Sequence, residues 1–153
     1  MRAGARVAVA LALLAACGQK GAPLAPELVR PNPPANLSAI ATPEGVRLTW
    51  QRPLTYSGGQ RMNDLGGFTI ERAAGDGELP AFTPAGTVTV QDQERFRKER
   101  HLEWTDTDVT PGTRYLYRVS AYTLDGYWSE PVGPVAARFG PAARDAAPKE
   151  PPS

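Results

Sequence analysis

Between Pro34 and Phe139 the chain alternates apolar and polar side chains in short runs. The clearest run follows the turn Val109-Thr-Pro-Gly112: Tyr115, Tyr117, Val119 and Ala121 share one parity, and Arg114, Leu116, Arg118 and Ser120 the other. Successive side chains leave opposite faces of a pleated strand, so a period of two predicts a half-buried β-strand. Pro111-Gly112 supplies the preceding bend, proline presetting φ and glycine tolerating the turn. After the Pro43-Glu44-Gly45 turn, Val46, Leu48 and Trp50 share one face of a strand over Val46 to Trp50. Further strand signals cover Asn36 to Ile40, Phe68 to Arg72, Leu102 to Asp106 and Val132 to Phe139. Phe82 to Val90 is a weaker signal. Pro84 inside it has no ladder donor, which predicts an edge strand.

Seven short strands in about 105 residues, separated by turn residues, predict two sheets packed face to face. Trp50, Trp104, Tyr115 and Tyr117 fall on inward positions and are the expected aromatic core, since aromatic rings supply much of the buried area. Four features occur in the order found in one large family: Trp50 on the second strand, Phe68-x-Ile-x-Arg72 on the third, Val109-x-Pro-Gly-Thr-x-Tyr115-x-Tyr-x-Val-x-Ala121 on the sixth, and Asp125-Gly-Tyr-Trp-Ser-Glu-Pro131 after it. In these motifs about two thirds of the chain resembles a fibronectin type III domain. The resemblance implies an all-β, seven-stranded, immunoglobulin-like antiparallel sandwich over residues 34–140. It also implies that Tyr115 is the tyrosine corner, its hydroxyl bonding backbone across the turn that begins near Val109.

Two connections exceed the family's usual length, Leu54 to Gly66 and the charge run Gln91 to Arg100. Long loops on a rigid sandwich are where binding tends to sit, and a solvated insert is the plainer alternative. Tyr127 and Trp128 lie in the connection between the last two strands, which presents ligands in several members of the resembled family. They are the candidate binding residues, because exposed aromatics anchor interfaces, and packing back on the sandwich edge is the alternative.

The first residues set the expected address. Arg2 and Arg6 precede a short apolar run, Val7 to Leu14, too short to span a bilayer and of the length of a signal peptide over residues 1–16. Its end, Leu14-Ala15-Ala16-Cys17, resembles the bacterial lipoprotein box; an ordinary secretory signal with a coincidental cysteine is the competing reading. The resemblance implies cleavage before Cys17, a thioether-linked diacylglycerol on its sulfur and an acyl chain such as palmitate on the new amino terminus. At about 0.8 kcal/mol per buried methylene, one chain anchors marginally and two or more hold firmly. Gly18, where the resembled proteins carry aspartate for inner-membrane retention, implies the outer membrane, with the domain in the periplasm or at the cell surface. Residues 17–33 then form a lipidated, proline-rich spacer expected to stay extended, and residues 141–153 a disordered tail. Cys17-Gly-Gln-Lys-Gly-Ala-Pro-Leu24 also resembles the amino terminus of small lipoproteins that assist assembly of the lipopolysaccharide translocon, from which it departs by inserting Ala22. That likeness implies an assembly factor acting through residues 18–24, and a flexible leader is the plainer reading.

Composition narrows the chemistry. The chain has 153 residues and a formal charge of +1, and the 137 residues from Cys17 onward carry about −1, so no basic field points to nucleic acid. Glycine (15) and proline (16) suit a turn-rich all-β domain. One cysteine forms no internal disulfide and one histidine builds no ordinary His/Cys metal site. Asp106, Asp108 and Asp125 do not fit a calcium loop. His101 has no nucleophile or orienting acid in view, so no catalytic residue, metal, cofactor or small-molecule substrate is expected. The expected partners are the membrane, through the anchor, and an envelope protein or polymer.

Overall fold

The parity of the two clearest runs, Val46 to Trp50 and Arg114 to Ala121, is carried directly into burial. In the computed structural model, which describes residues 23, 25–77, 81–92 and 100–140, buried and half-buried residues alternate without a break through Arg114–Thr123. The leader with Cys17, nearly all of residues 18–24, most of the run 91–100 and the tail 141–153 lie outside the described residues. Seven strands form, β1 (Ala35–Thr42), β2 (Gly45–Gln51), β3 (Leu65–Ala74), β4 (Thr83–Thr89), β5 (His101–Asp106), β6 (Arg114–Thr123) and β7 (Val132–Arg138). They make two antiparallel sheets, ordered β1-β2-β5 and β4-β3-β6-β7. Every segment expected to be a strand forms one, lengthened at some ends by ladder pairing and one residue shorter at Phe82, Val90 and Phe139.

The inner faces meet in one apolar layer. Val46, Leu48 and Trp50 of β2 face Phe68 and Ile70 of β3 and Tyr117, Val119 and Ala121 of β6, all nearly or wholly shut off from solvent. Trp50 packs edge-on against Phe68 with ring centroids 5.5 Å apart, the arrangement that brings a positive ring edge to a negative face. Tyr115 is buried as well, and its hydroxyl accepts the Thr110 N–H at 2.8 Å, tying the turn onto β6.

Trp104 packs against the core from its inward position and is less completely buried than the other three aromatics. It is half-buried, because β5 is the edge of its sheet and has no outer neighbour to cover the ring. The indole instead closes the open side of the sandwich over Gly86 of β4, where an added Cβ would lie 2.4 Å from Cζ2 of the ring. β4 is itself an edge strand, and its register against β3 shifts beside Pro84.

The expected extended spacer is a departure. Residues 25–33 do not run free: Pro26–Leu28 forms a 3-10 turn, and Pro31 is buried. The reason is a supply of partners. Backbone groups of the connection between β2 and β3 pair with this segment, so its amides and carbonyls are satisfied by protein rather than by water.

Candidate interaction surface

Antiparallel pairing gathers the connections β2–β3 and β6–β7 and the entry to β1 at one end of the sandwich. Ala35 pairs with Gln51 and Leu65 with Thr123, and the Leu124 N–H donates to the Asp64 carbonyl at 2.8 Å. The β2–β3 connection is an ordered hairpin. The Tyr56 N–H donates to the Gln60 carbonyl and the Met62 N–H to the Leu54 carbonyl, each at 2.9 Å. The Tyr56 hydroxyl donates to Asp64 Oδ1 at 2.5 Å. Partial burial first, then the hydrogen bond and charge of Asp64, push the Tyr56 phenol up to about 12.

The amino-terminal segment lies along this hairpin. The Asn32 N–H donates to the Thr55 carbonyl at 3.1 Å, and Asn32 Nδ2 donates to Thr55 Oγ1 at 2.8 Å and to the Tyr56 carbonyl at 3.2 Å. The Ser57 N–H meets the Arg30 carbonyl at 2.9 Å, the Gly58 N–H meets the Leu28 carbonyl at 3.1 Å, and the Ser57 hydroxyl donates to the Glu27 carbonyl. Leu28 is thereby fixed beside Gly58, at the tip of the hairpin.

In the β6–β7 connection Gly126 takes a positive φ of 83°, which lets the chain turn back so that the Thr123 N–H reaches the Tyr127 carbonyl at 2.9 Å. Buried Ser129 then extends the sheet: its N–H donates to the Ala121 carbonyl, and its hydroxyl accepts the Ala121 N–H and donates to the Glu130 carbonyl. These bonds hold the intervening aromatics outward. Trp128 stacks on Tyr122, centroids 5.0 Å apart, yet 48% of it remains exposed, and Tyr127 is 36% exposed. Both readings of Trp128 thus apply in part, one ring face packed and the other open. Leu28, Leu54 and Leu124, unremarked in the sequence, join them as exposed apolar side chains at the same end. An apolar residue inside a polar turn, Leu124 before Asp125-Gly126, was the available signal.

The opposite end is held by charge. Arg72 sits on an inward position of β3, and its Nη1 donates to Asp106 Oδ1 at 3.1 Å and Oδ2 at 2.8 Å on the facing sheet. The Tyr117 hydroxyl donates to the same Oδ2 at 2.9 Å, the Asp108 N–H to Oδ1 at 3.1 Å, and Arg72 also reaches the Asp108 carbonyl and carboxylate. Burial pulls the Arg72 guanidinium down, and the hydrogen bond and charge of Asp106 more than offset it, leaving it above its ordinary value. Burial and then Asp106 raise the Tyr117 phenol well above its usual range. On the outer face Arg118 forms a two-pronged pair with Glu71, Nε to Oε2 at 2.6 Å, beneath the Phe82 ring. Each of these groups is engaged by a structural partner. Among the described residues no three His, Cys, Asp or Glu side chains converge as a metal cage, and no helix is long and apolar enough to cross a membrane.

Three strands packed on four, with a tyrosine closing the turn before β6, define an immunoglobulin-like sandwich. The family model described as fibronectin type III domain matches residues 32–135, and the chain belongs to that family. Among solved structures, the twitchin kinase region from C. elegans is similar at 19% identity, covering 78% of this chain and 18% of that one, with a TM-score of 0.52. A Fn3-like protein from Clostridium thermocellum is similar at 21% identity, covering 74% of this chain and 98% of that one, with a TM-score of 0.50. At these identities the likeness is one of fold. No curated protein matches the chain. Fibronectin type III domains are typically non-catalytic modules.

Proposed function

We propose that the protein is a bacterial lipoprotein, held in the outer membrane by acyl chains on Cys17, whose fibronectin type III domain makes non-catalytic contacts in the cell envelope. The lipoprotein half of the reading rests on Leu14-Ala15-Ala16-Cys17 at the end of a short apolar leader. The contact half rests on one observation: Tyr127 and Trp128 stay open to solvent on a backbone that hydrogen bonds hold rigid. Rigid aromatics give contact area at little cost in conformational entropy, and that is the property of interface anchors. The component within reach of this end is an envelope protein, an envelope polymer or the membrane itself. Neither catalysis nor a cofactor is part of the reading.

The test uses the full chain in intact cells, with Trp128 replaced by the photo-cross-linker p-benzoylphenylalanine. Irradiation is expected to give adducts with an envelope component, and replacement at Pro111, on the opposite end, is expected to give none. Equal labelling at the two positions would refute the contact surface. Deleting residues 18–24 while keeping Cys17 should leave the adducts unchanged; an envelope defect with adducts intact would favour the assembly-factor reading of that segment.

A further inference from the structure

Large apolar side chains left open to water are unevenly placed on this domain. Among the described residues six qualify: Leu28 (45% exposed), Ile40 (61%), Leu54 (43%), Leu124 (60%), Tyr127 (36%) and Trp128 (48%). Five of the six belong to the end that holds the β2–β3 hairpin, the β6–β7 turn and the entry of the amino-terminal segment; Ile40 alone lies elsewhere, on β1. Single exposed leucines need no explanation, but five apolar side chains gathered on one end mark a contact surface.

The chain itself says what lies nearest to that end. Residues 25–33 are bonded to the hairpin, so they do not serve as tether, and the anchor position Cys17 is only eight residues before Ala25. Fully extended, eight residues reach at most about 29 Å. The opposite end, at Pro111-Gly112, stands farther off by the length of β7, seven residues or roughly 23 Å. A tether this short makes contact between the near end and the anchoring leaflet an intramolecular event, with the high effective concentration that implies.

Resting on the lipoprotein reading above, we infer that this end lies against the lipid surface that holds the anchor, with Leu28, Leu54, Leu124, Tyr127 and Trp128 in the headgroup and upper acyl region. The side-chain chemistry fits. Tryptophan and tyrosine combine an apolar ring with a polar edge and suit the membrane–water boundary, while leucines supply apolar area to bury. The described charged side chains of this end are Glu27, Asp64, Asp92, Asp125 and Glu130 against Arg30, Arg52, Arg61 and Arg100, a near balance. The attraction is therefore apolar and needs no anionic lipid, and salt leaves it in place.

The chain has one cysteine, and in the acylated protein its sulfur is blocked, so a single introduced cysteine gives one labelling site. Full-length protein is extracted from membranes, its acyl mass is measured, and it is reconstituted in phosphatidylcholine vesicles with a nitroxide at Leu124→Cys, Leu54→Cys or Pro111→Cys. Labels at 124 and 54 are expected to collide more with oxygen and several-fold less with a water-soluble nickel chelate than the label at 111, at low and high salt alike. Adding Trp128→Ser to the Leu54→Cys protein should return chelate access at 54. Equal chelate access at all three positions, in acylated protein that stays on the vesicles, overturns the membrane contact and leaves the lipoprotein reading standing. Protection of 124 only after an envelope protein fraction is added overturns it in favour of a protein partner. A protein without acyl mass overturns both.

Discussion

Replacing Asp106 by alanine should remove more stability than any other change to a polar side chain in the domain. Its carboxylate is nearly closed to solvent, with the side chain 3% exposed, and it receives four hydrogen bonds, two from Arg72 and one each from Tyr117 and the Asp108 amide. Removing one partner of a buried ion pair costs about 3–5 kcal/mol, chiefly because the other charge is left uncompensated. Here Arg72 is 21% exposed and retains the Asp108 carbonyl and carboxylate, which places the guanidinium share at the low end. The Tyr117 hydroxyl is fully buried and loses its acceptor, which adds about 1–3 kcal/mol. The expected total is about 4 kcal/mol, a large part of the roughly 5–15 kcal/mol available to a domain of this kind. Urea unfolding followed by tryptophan fluorescence should show the midpoint falling by about 1.3–4 M, since slopes for small domains are about 1–3 kcal/mol per molar. Tyr117→Phe leaves Asp106 with three of its four bonds and should cost about 1.5 kcal/mol. In a double-mutant cycle, Arg72→Met with Asp106→Ala should cost less than the two single changes added together, since neither then strands a charge. A loss below about 1 kcal/mol for Asp106→Ala, or strict additivity in the cycle, would refute the bridging role of this cluster.

Three further outcomes follow from the packing and the titrating groups. Trp50→Ala removes the largest fully buried side chain and should cost about 3–5 kcal/mol, read as a lowered melting temperature, whereas a curve that hardly moves would remove Trp50 from the core. Gly86→Ala should drive the Trp104 indole off β4, because the new Cβ meets a rigid ring at 2.4 Å; the expected signs are a red-shifted emission that Trp104→Phe abolishes and a lower unfolding midpoint. Tyr56 is neutral in the folded state up to about 12 against about 10 in an unfolded chain, so its contribution is complete below pH 10 and disappears as pH rises toward 12. Tyr56→Phe should flatten that alkaline loss in pH-dependent urea titrations, and an unchanged slope would contradict the bond to Asp64.

The parts of this structure that were legible in the sequence are those written in local alternation. Val46, Leu48 and Trp50, or Tyr115 to Ala121, carry their burial in their parity, because a strand with one buried face has no other way to be arranged. Pro84 marked its own edge for the same local reason. What stayed hidden depends on partners distant along the chain. Arg72 looked like one more strand residue, and only the pairing of two sheets brings Asp106 to it across 34 positions. Trp104 obeyed the inward parity and is only partly buried, since parity does not reveal which strand ends a sheet. Residues 25–33 read as free spacer because proline-rich composition speaks for extension and is silent about a hairpin that offers hydrogen bonds. Tyr127 and Trp128 were legible as candidates. Their gathering with Leu28, Leu54 and Leu124 was not, because three separate connections contribute to it.

The most direct test of the account is the intact mass of the protein extracted from membranes of the cells that make it. A lipid-anchored sandwich requires a chain that starts at Cys17, with the added mass of a diacylglyceryl group and an amide-linked acyl chain. A species that retains residues 1–16, or one that begins elsewhere and carries no lipid, would contradict it.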